Sequence, residues 1–228
     1  MQSPHPFPIS RLTSPRHAQA LPFIAQPLYS ARDREIFGYE SLYAGATRPT
    51  SWTEVDVSML SFLSSFQIDV PLFVNLSNET ICSIDEEMVF EAHRINNIFF
   101  EWSEVMIDDA AYTQIIAKLN AWGKKGLRIV IDDLGAGRDG LHRILAVEYV
   151  PAVKFDGDFF RKSETNRFAK SMIESMVKLC DAHKILTVAE CVETHQHYLV
   201  AQSLGVDFIQ GFYIDKICHD HLQQQYAA

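Results

Sequence analysis

Seven short apolar runs along the chain each end in a carboxylate, an amide or a lysine. They are IFGYE ending at Glu40, LFVN at Asn75, NIFFE at Glu101, RIVIDD at Asp132 and Asp133, AVKFD with Lys154 and Asp156, ILTVAE at Glu190, and VDFIQ at Gln210. Runs of this length, bounded by turns and alternating with helical patterns, read as buried parallel strands. Polar groups at the same end of successive parallel strands converge on one rim of the sheet. In a closed β/α barrel, that rim is where active sites are built. The pattern therefore predicts a fold and a site together.

The segments between the runs suit this reading. LPFIAQPLYS and EIFGYESLY flank the polar turn ARDR, which is a hairpin signal. Ser51 and Glu54 have capping-box spacing and open a helix through Met59, Leu60, Leu63 and Phe66. A second helical region spans roughly 79–94. Tyr112, Ile115, Ile116, Leu119 and Trp122 lie at helical spacing, closed by Gly123 and Gly126. LHRILAV reads as a short helix, and Phe168, Met172, Met176 and Cys180 mark another, with the two methionines expected in the core. Thr194 is the expected N-cap of HQHYLVAQSL, and VDFIQGFYI the expected last strand. Residues 1–20, rich in Pro, Ser and His, read as a flexible arm. Residues 21–228 read as one domain, and the tail HLQQQYAA as helical or frayed.

At 228 residues, a barrel is trimmed against the typical ~250. A net charge of −9 argues against binding a nucleic-acid polymer or an anionic membrane, though bound divalent metal can reverse the sign locally. Cys82, Cys180, Cys191 and Cys218 lie far apart with no C-x-x-C, which indicates reduced thiols in a cytoplasmic protein. No run approaches the ~18 apolar residues of a membrane span. His195 and His197, two apart in one helix, face different sides and make no ligand pair. LGAGRDG lacks the residues of a P-loop, and no dinucleotide fingerprint is present.

The chemistry lies in the rim residues taken jointly. Asp132-Asp133 alone can cap the next helix, and Lys154 alone can be an ordinary paired lysine. Together, six carboxylates, an amide and one lysine repel unless something cationic sits among them. An all-oxygen set suits Mg²⁺ or Mn²⁺ rather than Zn²⁺. Adjacent aspartates can serve two ions, with one Asp bridging, which suits in-line phosphoryl displacement.

At these residues the sequence resembles the EAL-domain family of bacterial cyclic di-GMP phosphodiesterases. GYESLY (38–43) resembles the signature segment, with Glu-Ser-Leu for Glu-Ala-Leu. FVNLS (73–77) is similar to V-N-L-S, FFEWSE (99–104) to L-E-I-T-E, and IDDLGAG (131–137) to I-D-D-F-G-T-G. VKFD (153–156) is similar to L-K-I-D, VAECVET (188–194) to V-A-E-G-V-E-T, and LGVDFIQGFYI (204–214) to L-G-C-D-x-x-Q-G-Y. The resemblance covers about residues 21–215. It implies a modified TIM-like (β/α)8 barrel with one antiparallel strand, and metal-dependent hydrolysis of cyclic di-GMP to the linear dinucleotide. By resemblance, Glu40, Asn75, Glu101 and Asp132 would hold one Mg²⁺ or Mn²⁺, and Asp132, Asp133 and Glu190 a second. Lys154 would position or polarise the attacking water. Glu190 would serve as ligand or general base. Asp156, Glu104 and Glu193 would support the site, and Gln26, Leu42 and Gln210 would face the nucleotide. Family members often form homodimers through the barrel, and changes in the loop after Asp133 leave the oligomeric state open here.

Four departures open an alternative. Ala44 stands where the family often carries a phosphate-gripping arginine. The loop 134–140 is altered, Cys191 replaces a glycine beside the second ion, and the segment 45–72 lacks a helix that forms one barrel wall. These leave two readings: a phosphodiesterase, or a catalytically weak or inactive relative that acts as a cyclic di-GMP receptor or a protein-interaction module.

Overall fold

A computed structural model describes residues 7–8, 22–103, 108–137 and 141–218. The strands run in chain order: β1 Phe7–Pro8, β2 Phe23–Ser30, β3 Ile36–Tyr43, β4 Leu72–Asn75, β5 Ile98–Trp102, β6 Arg128–Leu134, β7 Ala152–Phe155, β8 Leu186–Ala189 and β9 Phe208–Ile209. Neighbours in sequence are neighbours in the sheet, and β2 also pairs with β9, so β2–β9 close into an eight-stranded barrel. β3 to β9 are parallel. β2 is antiparallel to both β3 and β9, as the opening hairpin signal predicts. Within the segment read as a flexible arm, Phe7–Pro8 form a short strand antiparallel to β2 at Ile24 and Ala25.

Alternation along the strands explains both the core and the rim. A strand residue and its second neighbour share a face. Leu28, Phe73, Phe99, Val130, Ala152, Val188 and Phe208 form one buried cluster that fills the barrel interior. Two residues further along the parallel strands stand Asn75, Glu101, Asp132, Lys154, Glu190 and Gln210. In antiparallel β2 the same layer is reached two residues earlier, at Gln26. The apolar cluster is thus a floor and the polar residues are the layer above it. Phe73 and Phe99 stack in that floor with ring centroids 4.6 Å apart. The strands' other faces, including Leu72, Val74, Ile98, Phe100, Ile129, Ile131, Val153 and Phe155, pack against the helices.

The helices are α1 Trp52–Ser65, α2 Asn78–Ser83, α3 Glu86–Ile95, α4 Asp109–Lys124, α5 His142–Ala146, α6 Gly157–Thr165, α7 Arg167–Ala182 and α8 His195–Leu204, and a further helix covers 212–218. Ser51 caps α1 by accepting from Glu54 N, and Thr194 caps α8 by accepting from His197 N. Ile115, Leu119 and Trp122 bury the inner face of α4 as their spacing predicts, but Gly123 lies inside that helix.

Four expectations are corrected. The region 79–94 is two helices, because Asp85 caps a new one. The helical stretch after β7 is also two, divided at Asn166, whose side chain accepts from Phe168 N and Ala169 N. The last strand stops at Ile209. Gly211 takes φ +143, where a Cβ would meet the Val192 backbone at 2.4 Å, and Phe212 begins a helix instead. The face of α7 differs as well. Ala169, Ile173, Val177 and Cys180 point inward, while Phe168 and Met172 are 74% and 40% exposed and Met176 is only partly buried. Two apolar stripes run along that helix one position apart, and the smaller residues fit the tighter contact. All four cysteines are free thiols. Among the described residues, no helix is long and apolar enough to cross a membrane.

Candidate functional site

Lys154 stands at the centre of the polar layer. Its Nζ lies 2.7 Å from Glu190 Oε1, 3.0 Å from Glu40 Oε2, 3.0 Å from Glu101 Oε1 and 3.6 Å from Asp132 Oδ1. Four strands are thereby tied to a fifth through one buried ammonium. Both Glu40 oxygens are engaged. Oε1 accepts from Asn75 Nδ2 at 2.9 Å, and Oε2 accepts from Gln210 Nε2 at 2.6 Å as well as from Lys154. Ser103 Oγ donates to Asp132 Oδ2 at 2.8 Å.

Asp132 and Asp133 are consecutive, so in a regular strand they would face opposite sides. The register between β6 and β7 breaks between Ile131 and Leu134, and Asp133 takes a left-handed φ of +51. This bulge is the device that turns both carboxylates to one place. Oxygens of Asp132, Asp133 and Glu190 all lie within 4.8 Å of one another.

Five carboxylates surround one ammonium, and the excess negative charge is visible in their protonation. Burial raises the Glu101 carboxyl well above the usual range, and repulsion from Glu40 adds to it. Burial pushes Glu190 up to about 8 and Asp133 up to about 6, with Asp132 repelling both. Burial alone would push the Lys154 ammonium down, but Asp132, Glu101, Glu190 and Glu40 outweigh it and hold it well above the usual lysine range. Glu40 is the exception. Burial would raise it, yet Lys154 and hydrogen bonds from Glu101, Lys154 and Gln210 bring it below its ordinary value.

These residues fit divalent metal. Asp132 Oδ1 is a buried acceptor with no hydrogen-bond partner among the described residues, and the buried Glu101 carboxyl has only the Lys154 ammonium and the Glu40 carboxylate beside it. Such an orphan oxygen is costly unless a cation takes it up. The donor set is all oxygen, the choice of hard ions.

The remaining predicted residues fall in different places. Gln26 pairs with Glu40 across β2 and β3. Its Oε1 accepts from Gln210 Nε2 at 3.1 Å, and its Nε2 donates to Asp215 Oδ2 at 3.0 Å. Leu42, with Asn75, lines a cavity of about 580 Å³ that also includes Phe23, Tyr43, Trp52 and Asp56. This opening lies in the stretch where the sequence lacks a helix. Asp156 caps α6 by accepting from Phe159 N at 2.8 Å, so its contribution is to place that helix at the rim. The Glu193 side chain is exposed. Glu104 lies outside the described residues, as do positions 138–140 of the altered loop. Cys191 adopts φ +54, the conformation glycine favours. Its sulfur sits where a Cβ on Gly157 would meet it at 2.3 Å, beside the start of α6. His195 stacks on Tyr198 while His197 reaches Glu164 at 3.6 Å, so the two do diverge.

Three residues escaped the sequence reading: Ser103, Asp215 and Arg143. Each belongs to a turn or helix rather than a strand end. Asp215 is 5% exposed, and burial pushes its carboxyl up to about 6 against the lowering effect of Gln26. It lies in the helix 212–218 that takes the place of the expected strand after Gln210.

A family model described as the EAL domain matches residues 56–216. The chain belongs to the EAL domain family. The matched span begins after Gln26 and Glu40 and does not include them. Probable cyclic di-GMP phosphodiesterase PdeA of Escherichia coli strain K12 is 34% identical over 93 residues, 41% of this chain and 13% of that protein. Cyclic di-GMP phosphodiesterase PdeF of the same organism is 28% identical over 167 residues, 69% of this chain and 22% of that protein. The chain thus spans under a quarter of the length of either relative. A standalone EAL protein from Vibrio cholerae O395 in its c-di-GMP-bound form superposes with a TM-score of 0.67 at 23% identity, covering 86% of this chain and 92% of that one. The manganese and cyclic di-GMP complex of BlrP1 from Klebsiella pneumoniae gives a TM-score of 0.71 at 21% identity, covering 88% and 57%. These two share the EAL barrel with this chain.

Proposed function

We propose that this chain hydrolyses cyclic di-GMP to the linear dinucleotide, using two Mg²⁺ or Mn²⁺ ions. One observation carries the reading: the buried carboxyls of Glu101 and Asp132 meet Asp133 and Glu190 around a single ammonium, Lys154, which leaves more negative charge than it can balance. The EAL relatives named above supply the substrate. Glu40, Asn75, Glu101 and Asp132 would hold one ion, and Asp132, Asp133 and Glu190 the other. Bound there, divalent ions supply a water of lowered pKa and positive charge for the phosphoryl oxygens.

The chain's own residues do the rest. Lys154 orients four carboxylates at once and keeps its proton, so it is a fixed positive charge that would polarise the attacking water without titrating. Glu190, once bound cations displace the proton that burial holds on it, would accept the proton of the attacking water. The water oxygen forms a new bond to phosphorus, one ester P–O bond breaks, and the departing alcohol oxygen takes a proton. Gln210, which also donates to Gln26, holds Glu40 from the opposite side, and the cavity beside Leu42 is large and aromatic enough to seat a guanine.

The receptor reading is favoured by one observation. Ala44 is an exposed alanine at the rim end of the hairpin, and it offers no bidentate grip on phosphate. Purified protein incubated with cyclic di-GMP and Mg²⁺ or Mn²⁺ separates the two. Linear product supports hydrolysis. Calorimetric binding without product, at high enzyme concentration and under either metal, refutes hydrolysis and supports the receptor.

A further inference from the structure

α5 carries a guanidinium that the site described above does not use. Arg143 is 1% exposed, with Nη1 donating to the Trp102 carbonyl at 2.8 Å and Nη2 to the Asp133 carbonyl at 3.4 Å. Its guanidinium carbon lies 5.6 Å from the Trp102 ring centroid. Both carbonyls belong to the rim. Trp102 follows Glu101 at the end of β5, and Asp133 is the left-handed residue of the β6 bulge. The Asp133 carbonyl also accepts from Ala136 N at 3.1 Å, so one oxygen anchors both the turn and the guanidinium.

Burying a guanidinium costs several kcal/mol unless its donors are well placed. Here its planar fork spans two strand ends. A lysine, with its donors on a single atom, does not reproduce that bridge. The Ala136 bond closes the turn at the end of β6, and the guanidinium ties that turn across to β5; a regular strand there would aim Asp133 away from Asp132 and Glu190.

We infer that Arg143 is a positioning residue for the second metal ion: it pins the Asp133 carbonyl to the end of β5 and so holds the bulge that brings the Asp133 carboxylate to Asp132 and Glu190. The inference rests on the two-ion reading. Arg143 touches neither substrate nor metal; it acts through the backbone of a residue that does.

The test titrates Mn²⁺ into the metal-stripped protein by calorimetry, comparing wild type with Arg143→Lys and Arg143→Met. Circular dichroism and thermal unfolding are recorded on the same samples. Wild type takes up two ions. Both variants keep one ion at near wild-type affinity and lose affinity for the other by about 10- to 100-fold, the usual effect of removing an outer-shell partner. In hydrolysis, kcat falls while KM holds. A general loss of stability would instead weaken both ions together. Two ions bound unchanged by folded Arg143→Lys overturn the inference alone. A wild type that takes up no Mn²⁺ overturns the two-ion reading and this inference with it. A crystal structure of manganese-loaded wild type needs no variant. Asp133 at positive φ with its carbonyl on the Arg143 guanidinium supports the inference. A regular strand through 131–134 overturns it.

Discussion

Replacing Lys154 by Met should destabilise the metal-stripped protein in a strongly pH-dependent way. The ammonium is buried within 3.6 Å of four carboxylates. At an effective dielectric of about 20, each contact near 3 Å represents roughly 5 kcal/mol of attraction. The full sum is never lost, because carboxylates stripped of their counter-charge take up protons instead. That escape sets the scale. Holding one further proton on a glutamate of ordinary pKa costs about 4 kcal/mol at pH 7 and about 1 kcal/mol at pH 5. The first figure agrees with the 3–5 kcal/mol typical of breaking a buried ion pair. Urea unfolding in EDTA should therefore show Lys154→Met less stable than wild type by about 4 kcal/mol at pH 7, narrowing to about 1 kcal/mol at pH 5. Saturating Mn²⁺ should narrow the gap at pH 7, since added cations take over the neutralising role. A loss that is equal at both pH values, or absent at pH 7, refutes the reasoning.

The raised carboxyls make a second prediction. Asp133 at about 6 and Glu190 at about 8 hold protons in the fold that the unfolded chain has already released. The stability those protons contribute is complete below the ordinary carboxylate pKa and is lost as pH rises through about 6 and then about 8. Mn²⁺ competes with the same protons, so its stabilising shift in Tm should grow from pH 6 to pH 8.5; a shift that shrinks over that range contradicts the cluster. Glu40→Ala removes an acceptor shared by Asn75, Lys154 and Gln210 and should abolish metal-dependent hydrolysis in the product assay, where wild-type rates would exclude the site. Ala44→Arg should lower KM for cyclic di-GMP by supplying a phosphate contact; an unchanged or raised KM shows that position 44 does not face phosphate.

Much of this architecture follows from one spacing. Phe99 and Glu101, Val130 and Asp132, Ala152 and Lys154 are each two apart, and strand alternation places the first of each pair in the barrel floor and the second in the layer above it. The hairpin at 30–36 and the caps at Ser51 and Thr194 are equally local, and local chemistry decides them. What escaped the sequence depends on contacts between distant segments. Alternation predicts opposite faces for Asp132 and Asp133, and only the bulge overrides it. Arg143 looks like a helix surface residue until α5 is laid against β5 and β6. FYI after Gln210 has the apolar character of a strand, but the approach of Gly211 to Val192 turns the chain into a helix. On α7, Met172 and Ile173 offered equivalent stripes, and packing chose the smaller side chains.

The most direct measurement is an anomalous difference map at the manganese edge from crystals grown with Mn²⁺ and cyclic di-GMP. The account predicts two peaks sharing Asp132, one reached by Glu40, Asn75 and Glu101 and the other by Asp133 and Glu190. A map with no peak inside the ring of carboxylates, and the Lys154 ammonium as their sole counter-charge, would contradict it.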